Sequence, residues 1–410
     1  EAAEKNEYAI VILARTAGED KDNKMLEGAY CLTSIEEDML QKVRKSFAKM
    51  IVLLNTGNIM DMSFMDQYRP DAVMYVWQGG MIGGLGTVDV LTGKVCPSGR
   101  LSDTIAAQMS DYPANPYFGG LEQNLYVEDI YVGYRYFESV AKSKVLYPFG
   151  FGLSYTTFSM EADRFSYAQN QVSFVMKVTN TGSVAGKEVV QVYAKAPLGK
   201  LGKPARVLID FKKTKELMPG ECEALTFAIP TSVFASYNEV STAEMPTGWV
   251  LEAGEYTIYA GGNVRDAYAV GSFTLDELQI VEECRNALAP TTAFKRMKMT
   301  AANEHAEAAG VYEIAMEEVP LRVVSPEEKR NAELPESYEM TGDCGIKLAD
   351  VKAGKATLDE FVAQLTEEEL AGIVRGEGMG SPKVTAGTAA AFGGVTKSLL
   401  EKGIPCGCCD

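Results

Sequence analysis

Short apolar runs separated by polar loops dominate the first part of this chain. The three runs are residues 8–14 (YAIVILA), 50–54 (MIVLL) and 72–77 (AVMYVW). Between the first two, Ser34-x-x-Glu37 has the spacing of a capping box and predicts the start of a helix. The face predicted for that helix carries Ile35, Met39, Val43 and Phe47. Strand, helix and strand in this rhythm indicate a parallel sheet covered by helices.

The loops that follow the three runs are the first place to look for a ligand. They begin at Arg15, Asn55 and Gln78. In open parallel sheets, ligands bind beyond the carboxyl ends of the strands.

From about Ser159 the pattern changes to strict alternation of apolar and polar residues. The predicted strands are residues 172–178, 189–194, 206–211, 224–229, 234–237, 249–251 and 256–260. Turn sequences such as Pro219-Gly220 separate them. About seven short strands at this spacing predict an immunoglobulin-like sandwich with a structural or docking role.

The remainder of the chain has weaker patterns. Residues 281–345 contain four prolines that prevent a long helix, and we interpret them as a connecting segment. Two further capping boxes, Thr357-x-x-Glu360 and Thr366-x-x-Glu369, predict helices of a third, truncated domain.

Composition removes several classes of function. The formal charge of −17 argues against nucleic acid or anionic lipid as a partner, and no apolar run approaches the ~20 residues that span a bilayer. The single histidine, His305, excludes a Ser-His-Asp triad and a multi-histidine zinc site within this chain. Carboxylates are therefore the expected catalytic groups, and we predict no metal and no cofactor.

Cysteine usage indicates a reducing compartment. Eight cysteines in 410 residues are too sparse for a disulfide scaffold. Cys406, Cys408 and Cys409 lack the second pair that a zinc site needs, so a core strand is favoured over a metal site. We predict a cytoplasmic bacterial protein. The absence of an initiator Met and the abrupt end at Asp410 also suggest a piece of something longer.

Three segments are candidate sites, each with a plainer alternative. The loop 15–23 holds adjacent carboxylates between Arg15 and Lys21, although Thr16-x-x-Glu19 is also a capping box and spacing alone favours a solvated loop. Residues 79–86 are glycine-rich but match neither a dinucleotide fingerprint nor a P-loop, so tight packing of a helix on the sheet is favoured.

The third candidate is an aromatic group in residues 126–137 and 146–152. These side chains suit either a sugar-stacking surface or an anchor between domains, and the anchor is favoured because aromatic residues bury large areas at interfaces.

Three long motifs in this order resemble glycoside hydrolase family 3, the β-glucosidase group. They are residues 89–101 (DVLTGKVCPSGRL), 128–137 (EDIYVGYRYF) and 147–156 (YPFGFGLSYT). The alternating module resembles the fibronectin type III-like domain of many members. Residues 377–380 and 393–405 look like the beginning of the family's TIM barrel, as in members whose barrel follows the other domains.

The resemblance implies a multidomain α/β plus all-β chain with four parts. They are a partial α/β sandwich (1–158), a fibronectin type III-like β-sandwich (159–280), a connecting segment (281–345) and the start of a TIM-barrel catalytic domain (346–410). It also implies that Glu19 is the general acid/base and that Asp410 hydrogen-bonds the sugar. The nucleophilic Asp of the family is on a later barrel strand that is absent from this sequence.

We therefore predict a fragment of a retaining β-glycosidase, inactive by itself, that acts on oligosaccharides or on aryl and alkyl β-glycosides. Assembly into a homo-oligomer is compatible with this prediction. The alternative is a non-catalytic carbohydrate-binding or scaffolding protein.

Overall fold

The computed structural model of this chain describes residues 2–16, 22–301, 311–334, 337–386 and 388–409, with the backbone alone for Cys409. The chain folds into two compact units, Glu1–Val324 and Ser325–Asp410. The domain limits at 158, 280 and 345 stay predictions.

The first unit begins with an α/β domain. Its elements are α1 (Ala2–Lys5), β1 (Tyr8–Ala14), α2 (Ser34–Ser46), β2 (Lys49–Asn55), α3 (Phe64–Tyr68), β3 (Ala72–Tyr75), α4 (Gly83–Leu91), β4 (Ile105–Ala106), α5 (Tyr134–Val140) and β5 (Val145–Tyr147). The three predicted runs form the strands of a parallel sheet in the order β1-β2-β3.

One face of this sheet carries the core of the domain. The register places Val11 beside Val52 and Leu13 beside Leu54, and all four side chains are buried. Helices α2 and α3 cover this face with Leu40 and Phe64, which belong to the same apolar cluster. Apolar side chains at every second strand position thus share one buried surface.

The start of α2 differs from the prediction by one residue. Thr33 is the N-cap, and its side chain and that of Glu36 form the capping box. The predicted face is wrong in part, because Ile35 is 79% exposed whereas Leu40 is fully buried. Thr33 and Ser34 are both good caps, so only tertiary packing decides between the two registers.

Two other expectations about this domain are wrong within the described residues. The opposite face of β1 is not covered, since Tyr8, Ile10 and Ile12 are exposed. The glycines of α4 do not pack tightly on the sheet, because a Cβ at Gly84 or Gly86 would meet no atom within 4 Å.

The predicted β-sandwich is confirmed. Its strands are β6 (Phe158–Ala168), β7 (Gln171–Asn180), β8 (Val189–Lys195), β9 (Val207–Lys213), β10 (Cys222–Pro230), β11 (Ser236–Asn238), β12 (Gly248–Leu251), β13 (Gly254–Gly261), β14 (Tyr268–Leu275) and β15 (Gln279–Glu283). They form the sheets β10-β7-β6, β14-β13-β8-β9 and β11-β12-β15. The predicted strand at 234–237 is shorter, because Thr231–Phe234 is a single 3-10 turn.

A buried aromatic cluster joins the α/β domain to the sandwich. The ring of Tyr134 lies 4.6 Å from that of Phe149 and 6.1 Å from that of Tyr193 on β8. The N–H of Leu208 on β9 donates a hydrogen bond to the Tyr134 hydroxyl at 2.9 Å. The aromatic segment is therefore an anchor between domains, as favoured from the sequence.

The segment interpreted as a connection contains an antiparallel hairpin of β16 (Lys295–Thr300) and β17 (Glu313–Glu318). Tyr131 of the α/β domain holds this hairpin, because its buried hydroxyl accepts a 2.8 Å hydrogen bond from the Met299 N–H. The hairpin is thus packed on the α/β domain within the first unit.

The second unit contains α6 (Pro326–Ala332), α7 (Leu348–Lys352), α8 (Leu358–Ala363), α9 (Glu367–Arg375), β18 (Glu377–Gly378), β19 (Ala390–Gly393), α10 (Lys397–Glu401) and β20 (Cys406–Cys409). Both capping boxes predicted here are present, at Thr357 with Glu360 and at Thr366 with Glu369. The three strands pair antiparallel. Barrel strands are parallel, so the described residues contain no closed barrel and the start of one stays a prediction.

Across the described residues, no helix has the length and apolar character needed to cross a membrane.

The stacked rings of Phe174 and Phe227 generate a stability prediction. The two rings are 4.9 Å apart and buried between the sheets of the sandwich. Replacing Phe227 with Ala should lower the free energy of unfolding by about 3–5 kcal/mol, because a cavity replaces a ring in a close-packed core. Urea denaturation measures this change.

The matched control is Phe211→Ala, at an exposed position of β9. It should lower the free energy of unfolding by about 0.5 kcal/mol or less. Equal losses in both variants would contradict the assignment of Phe227 to the core.

Candidate active site

The loops beginning at Arg15, Asn55 and after β3 leave the same edge of the sheet. The Arg15 N–H donates a 3.0 Å hydrogen bond to the Asn55 carbonyl, and the Val76 N–H donates one of 3.0 Å to the Leu54 carbonyl. The backbone hydrogen bonds between neighbouring strands thus continue for one residue beyond the ends of β1 and β3, and the segments then separate. This is the carboxyl edge at which ligands of parallel sheets bind.

The Arg15 side chain fixes the chain at this edge. Its guanidinium donates to both carboxylate oxygens of Glu36, at 2.6 and 2.9 Å. The other donors reach the carbonyls of Ala14 (2.8 Å), Ala29 (2.9 Å) and Cys31 (3.2 Å). All five guanidinium N–H groups are used, and the side chain is almost fully buried. A bidentate pair of this kind holds a planar geometry that a lysine cannot reproduce.

This contact also changes the titration of Glu36. Burial raises the pKa of this carboxyl, but hydrogen bonds from Arg15 and from the Thr33 N–H outweigh burial and leave the pKa below its usual value. The charged pair therefore stabilises the folded state at neutral pH.

The far end of the loop is fixed as well. The Asn23 side-chain amide donates a 2.8 Å hydrogen bond to the carbonyl of Ile59. The loop that receives it is closed by Thr56, whose hydroxyl donates to the Asn58 carbonyl at 3.0 Å. Arg15 and Asn23 thus attach both flanks of the loop 15–23 to the carboxyl edge, and residues 17–21 lie outside the described residues.

A cleft of about 310 Å³ opens beside Asn23. Aromatic, amide and small side chains line it: Asn23, Tyr30, Gly57, Asn58, Ile59, Trp77, Asp103, Met109, Tyr112, Ala114, Asn115 and Phe118. Trp77 adopts a left-handed φ of 52° and stacks on Tyr75 with 4.7 Å between the rings. A left-handed tryptophan is uncommon, and such residues concentrate at functional sites.

The hydroxyl groups of the two tyrosines in the cleft, Tyr30 and Tyr112, are hydrogen-bond donors at neutral pH. The Tyr30 side chain is 2% exposed, and its hydroxyl has no hydrogen-bond partner within the described residues. Burial raises the pKa of Tyr112 to about 12 and that of Tyr30 further. These phenols remain protonated at neutral pH. The Tyr30 hydroxyl is therefore a buried polar atom without a partner among the described residues, in a side chain that lines the cleft.

The chemistry offered by this cleft is binding of a neutral ring. Aromatic faces with a few amide groups are the usual lining of small-molecule sites. Asp103 is the one carboxylate among the described lining residues. No group of three or more His, Cys, Asp and Glu side chains suited to a metal ion occurs in the described part of the chain.

Comparison with known proteins identifies the family. The model of the glycosyl hydrolase family 3 C-terminal domain matches residues 1–155, and that of the fibronectin type III-like domain matches residues 188–264. A β-glucosidase of Ruminococcus albus is 52% identical over 409 residues, which is 100% of this chain and 42% of that protein. This chain belongs to glycoside hydrolase family 3. Its α/β domain is thus the family 3 C-terminal domain, followed by a fibronectin type III-like sandwich.

Solved structures of family 3 proteins have the same fold. A β-glucosidase of Paenibacillus barengoltzii is 50% identical with a TM-score of 0.92, covering 99% of this chain and 45% of that one. β-Glucosidase 3B of Thermotoga neapolitana, solved in complex with glucose, is 38% identical with a TM-score of 0.62, covering 68% of this chain and 39% of that one. The family 3 chain described here thus spans less than half the length of these relatives.

The two site residues assigned by family 3 resemblance, Glu19 and Asp410, lie outside the described residues. Their roles stay predictions. Cys406 and Cys408 lie in strand β20, but both side chains are exposed, so the strand was predicted correctly and its place in a core was wrong.

Sequence reasoning missed most of the aromatic cleft. Trp77 ends a predicted run, so its position at the edge was available from the sequence. Tyr30 and Tyr112 lie in irregular segments without periodicity, and no sequence pattern assigned them to the same site.

Arg15→Met tests the anchor of the loop. The variant should lose about 2 kcal/mol of unfolding free energy at neutral pH, because it leaves the partly buried Glu36 carboxylate without its donors. The loss should shrink as the pH falls below the usual glutamate pKa of about 4.3, where Glu36 becomes protonated in the unfolded chain and then in the folded one. Urea denaturation at several pH values measures both effects.

Arg44→Met is a control for this test, since Arg44 pairs with Asp71 on a more exposed surface. It should cost less than about 1 kcal/mol. A loss for Arg15→Met that is as small, or that does not change with pH, would contradict the anchoring role.

Proposed function

We propose that this chain is part of a retaining β-glucosidase that hydrolyses terminal β-linked glucose units. Glu19 is the general acid/base, and Asp410 hydrogen-bonds the sugar that is cleaved. The observation that carries the proposal is the attachment of both flanks of the Glu19 loop, through Arg15 and Asn23, beside an aromatic cleft.

Sequence distance supports this role of Glu19. It follows Thr16 by three positions and precedes Asp22 by three, and both of those residues belong to the described chain beside the carboxyl edge, where ligands of parallel sheets bind.

The reaction follows from two carboxyl groups. In the first step an Asp carboxylate of the barrel attacks the anomeric carbon, the glycosidic C–O bond breaks, and the Glu19 carboxyl gives its proton to the leaving oxygen. In the second step Glu19, now a carboxylate, takes a proton from water as the water oxygen displaces the Asp. Retention requires the two carboxyl groups to be about 5–5.5 Å apart.

The leaving group is the part of the substrate that the aromatic cleft suits. The cleft lies beside Asn23, at the end of the acid/base loop. The exposed Phe118 and the half-buried Trp77 offer ring surface to an aryl group or to a second sugar. The binding energy gained there comes from a part of the substrate away from the glycosidic bond that breaks. It helps to orient that bond for the reaction.

We also propose a cytoplasmic location. Eight cysteines in 410 residues are too sparse for a disulfide scaffold, as is usual in a reducing compartment.

Glu19→Gln tests the acid/base role in the protein expressed from its complete gene. We expect kcat/KM for cellobiose, a substrate with a poor leaving group, to fall by about a hundredfold to ten-thousandfold. For 2,4-dinitrophenyl β-glucoside the loss should be less than about tenfold, because this leaving group departs without a proton. The matched control is Glu27→Gln, an exposed carboxylate close to the same loop, which should leave both values unchanged.

Azide provides a second readout for the same role. In Glu19→Ala, azide should restore turnover of the dinitrophenyl substrate and form β-glucosyl azide, since it replaces the water that no longer has a base. Equal losses on both substrates, or no azide product, would reject Glu19 as the acid/base. Full activity of the variant would favour the non-catalytic alternative for this loop.

Trp77→Ala tests the leaving-group contact. We expect KM for aryl β-glucosides to rise about tenfold with kcat for the same substrates less affected, because the lost ring surface contributes binding on the order of 1.4 kcal/mol. Trp77→Phe, which keeps a ring, should recover most of the loss. Steady-state kinetics that show no change in KM would remove the leaving group from this cleft.

A further inference from the structure

A second, larger cleft lies in the same unit of the chain, on the side of the sandwich that faces the β16–β17 hairpin. Its volume is about 830 Å³, within the range of clefts that bind small molecules. Four segments form its walls: residues 129–131, the loop 200–204, the region 233–249 on and around β11 and β12, and residues 296–298 with 317–318 of the hairpin. The proposed β-glucosidase reaction does not use it.

Arg296 is the central cation of this cleft. Its guanidinium forms ion pairs with Glu239, with Glu317 at 3.0 Å and with Asp129 at 3.5 Å. The Lys298 ammonium pairs with the same Glu317 at 2.9 Å. Each of these charges therefore has an opposite charge within the cleft.

The loop 200–204 is balanced in the same way. The buried Lys203 ammonium pairs with the buried Glu252 carboxylate at 2.5 Å. Glu252 also accepts hydrogen bonds from the backbone N–H groups of Lys200 (2.6 Å) and Leu201 (3.3 Å). Lys200 pairs at the rim with Glu244.

This balance decides the class of ligand. An anion such as phosphate needs cations that are not already paired, and a metal ion needs carboxylates that are not already neutralised. Among the described lining residues, four of the five cations are paired with carboxylates, Arg135 being the exception, and the lining holds five carboxylates against these five cations. What they offer to a ligand is a dense set of oriented donors and acceptors with little net charge, which suits a neutral polyhydroxyl molecule.

Glu239 supplies an acceptor to the cleft. Its Oε2 is buried against the Arg296 guanidinium, but 20% of the side chain is exposed and the residue lines the cleft. Both oxygens of a carboxylate accept hydrogen bonds, so a ligand hydroxyl can donate to the exposed part of this group.

An aromatic surface completes the cleft. Trp249 on β12 lines it and is 43% exposed, and its ring lies 5.3 Å from that of Tyr237 on β11 at 67°. Tyr237 thus supports the indole from one side. Sugars with equatorial hydroxyl groups have an apolar face of C–H groups, which stacks on such a ring while the hydroxyl groups reach polar neighbours.

We propose that this cleft is a non-catalytic binding site for a neutral oligosaccharide built of equatorially substituted sugars. Trp249 stacks on one ring, and the carboxylates and cations around Arg296 bind the hydroxyl groups. The site holds part of a chain on the sandwich domain while the chemistry takes place elsewhere.

The probe is thio-linked cellotetraose, whose sulfur bridges resist hydrolysis, added to the protein expressed from its complete gene. Hydrogen–deuterium exchange measured by mass spectrometry locates binding without relying on activity. We expect saturable protection of peptides that cover residues 234–250 and 295–300. Trp249→Ala should weaken this protection about tenfold, a change on the order of 1.4 kcal/mol.

Matched variants separate stacking from folding. Trp249→Phe should retain most of the affinity, and Phe211→Ala, at an exposed aromatic outside the cleft, should retain all of it. Glu239→Gln should weaken binding severalfold, because one carboxylate oxygen becomes an NH2 group that cannot accept a hydrogen bond, while Arg296 stays paired with Glu317. In every variant kcat/KM for 4-nitrophenyl β-glucoside should match that of the parent protein, which also verifies folding.

Three results would overturn the proposal. They are no protection of these peptides at millimolar ligand, protection unchanged in both Trp249→Ala and Glu239→Gln, and protection by inorganic phosphate in place of the oligosaccharide. Because the readout is binding at residues 234–250, loss of the proposed role of Glu19 would leave it unaffected.

Discussion

The guanidinium of Arg15 is the contact on which the proposed active site depends. It is buried, and all five of its N–H groups donate to Glu36 and to three backbone carbonyls. A buried guanidinium is tolerated only when its donors are satisfied, so the segment from Ala29 to Glu36 has to remain wrapped around it. The path of the chain as it leaves β1 is thereby fixed, and with it the first flank of the loop that carries Glu19.

Much of the α/β domain and the sandwich could be predicted from the sequence, because their buried strands carry strong patterns. Residues 8–14 and 50–54 are bounded by polar loops, and the alternation at 172–178 has a single reading. The start of α2 was predicted one residue late, since Thr33 with Glu36 and Ser34 with Glu37 both satisfy the rule for a capping box. Only the burial of Leu40 distinguishes them.

The β16–β17 hairpin and the aromatic cleft were not predictable in this way. The strand Lys295–Thr300 alternates charged and methionine residues, which is also compatible with a solvated segment, and the contact of Tyr131 with Met299 spans 168 positions of sequence. Tyr30 and Tyr112 likewise lie in irregular segments far apart in sequence, and only the folded chain brings both to the cleft beside Trp77. Motif resemblance supplied Glu19 and Asp410, whereas residue pattern alone favoured a solvated loop.

The two clefts share one physical basis, a ring surface beside polar groups, but differ in what surrounds it. The cleft beside Trp77 lies at the ends of parallel strands, next to the anchored flanks of the loop 15–23. The cleft beside Trp249 is surrounded by ion pairs, whose opposite charges neutralise each other. The aromatic junction at Tyr134 packs both domains into one unit. The two proposed roles, contact with the leaving group and binding of an oligosaccharide, thus belong to separate clefts of that unit.

The most direct measurement is a crystal structure of the complete gene product trapped with a 2-deoxy-2-fluoroglucoside, which labels the nucleophilic carboxylate. We predict that the carboxyl carbon of Glu19 lies about 5–5.5 Å from that of the labelled Asp, with the Arg15–Glu36 pair intact. A separation beyond about 9.5 Å, or another carboxyl group at the shorter distance, would contradict it.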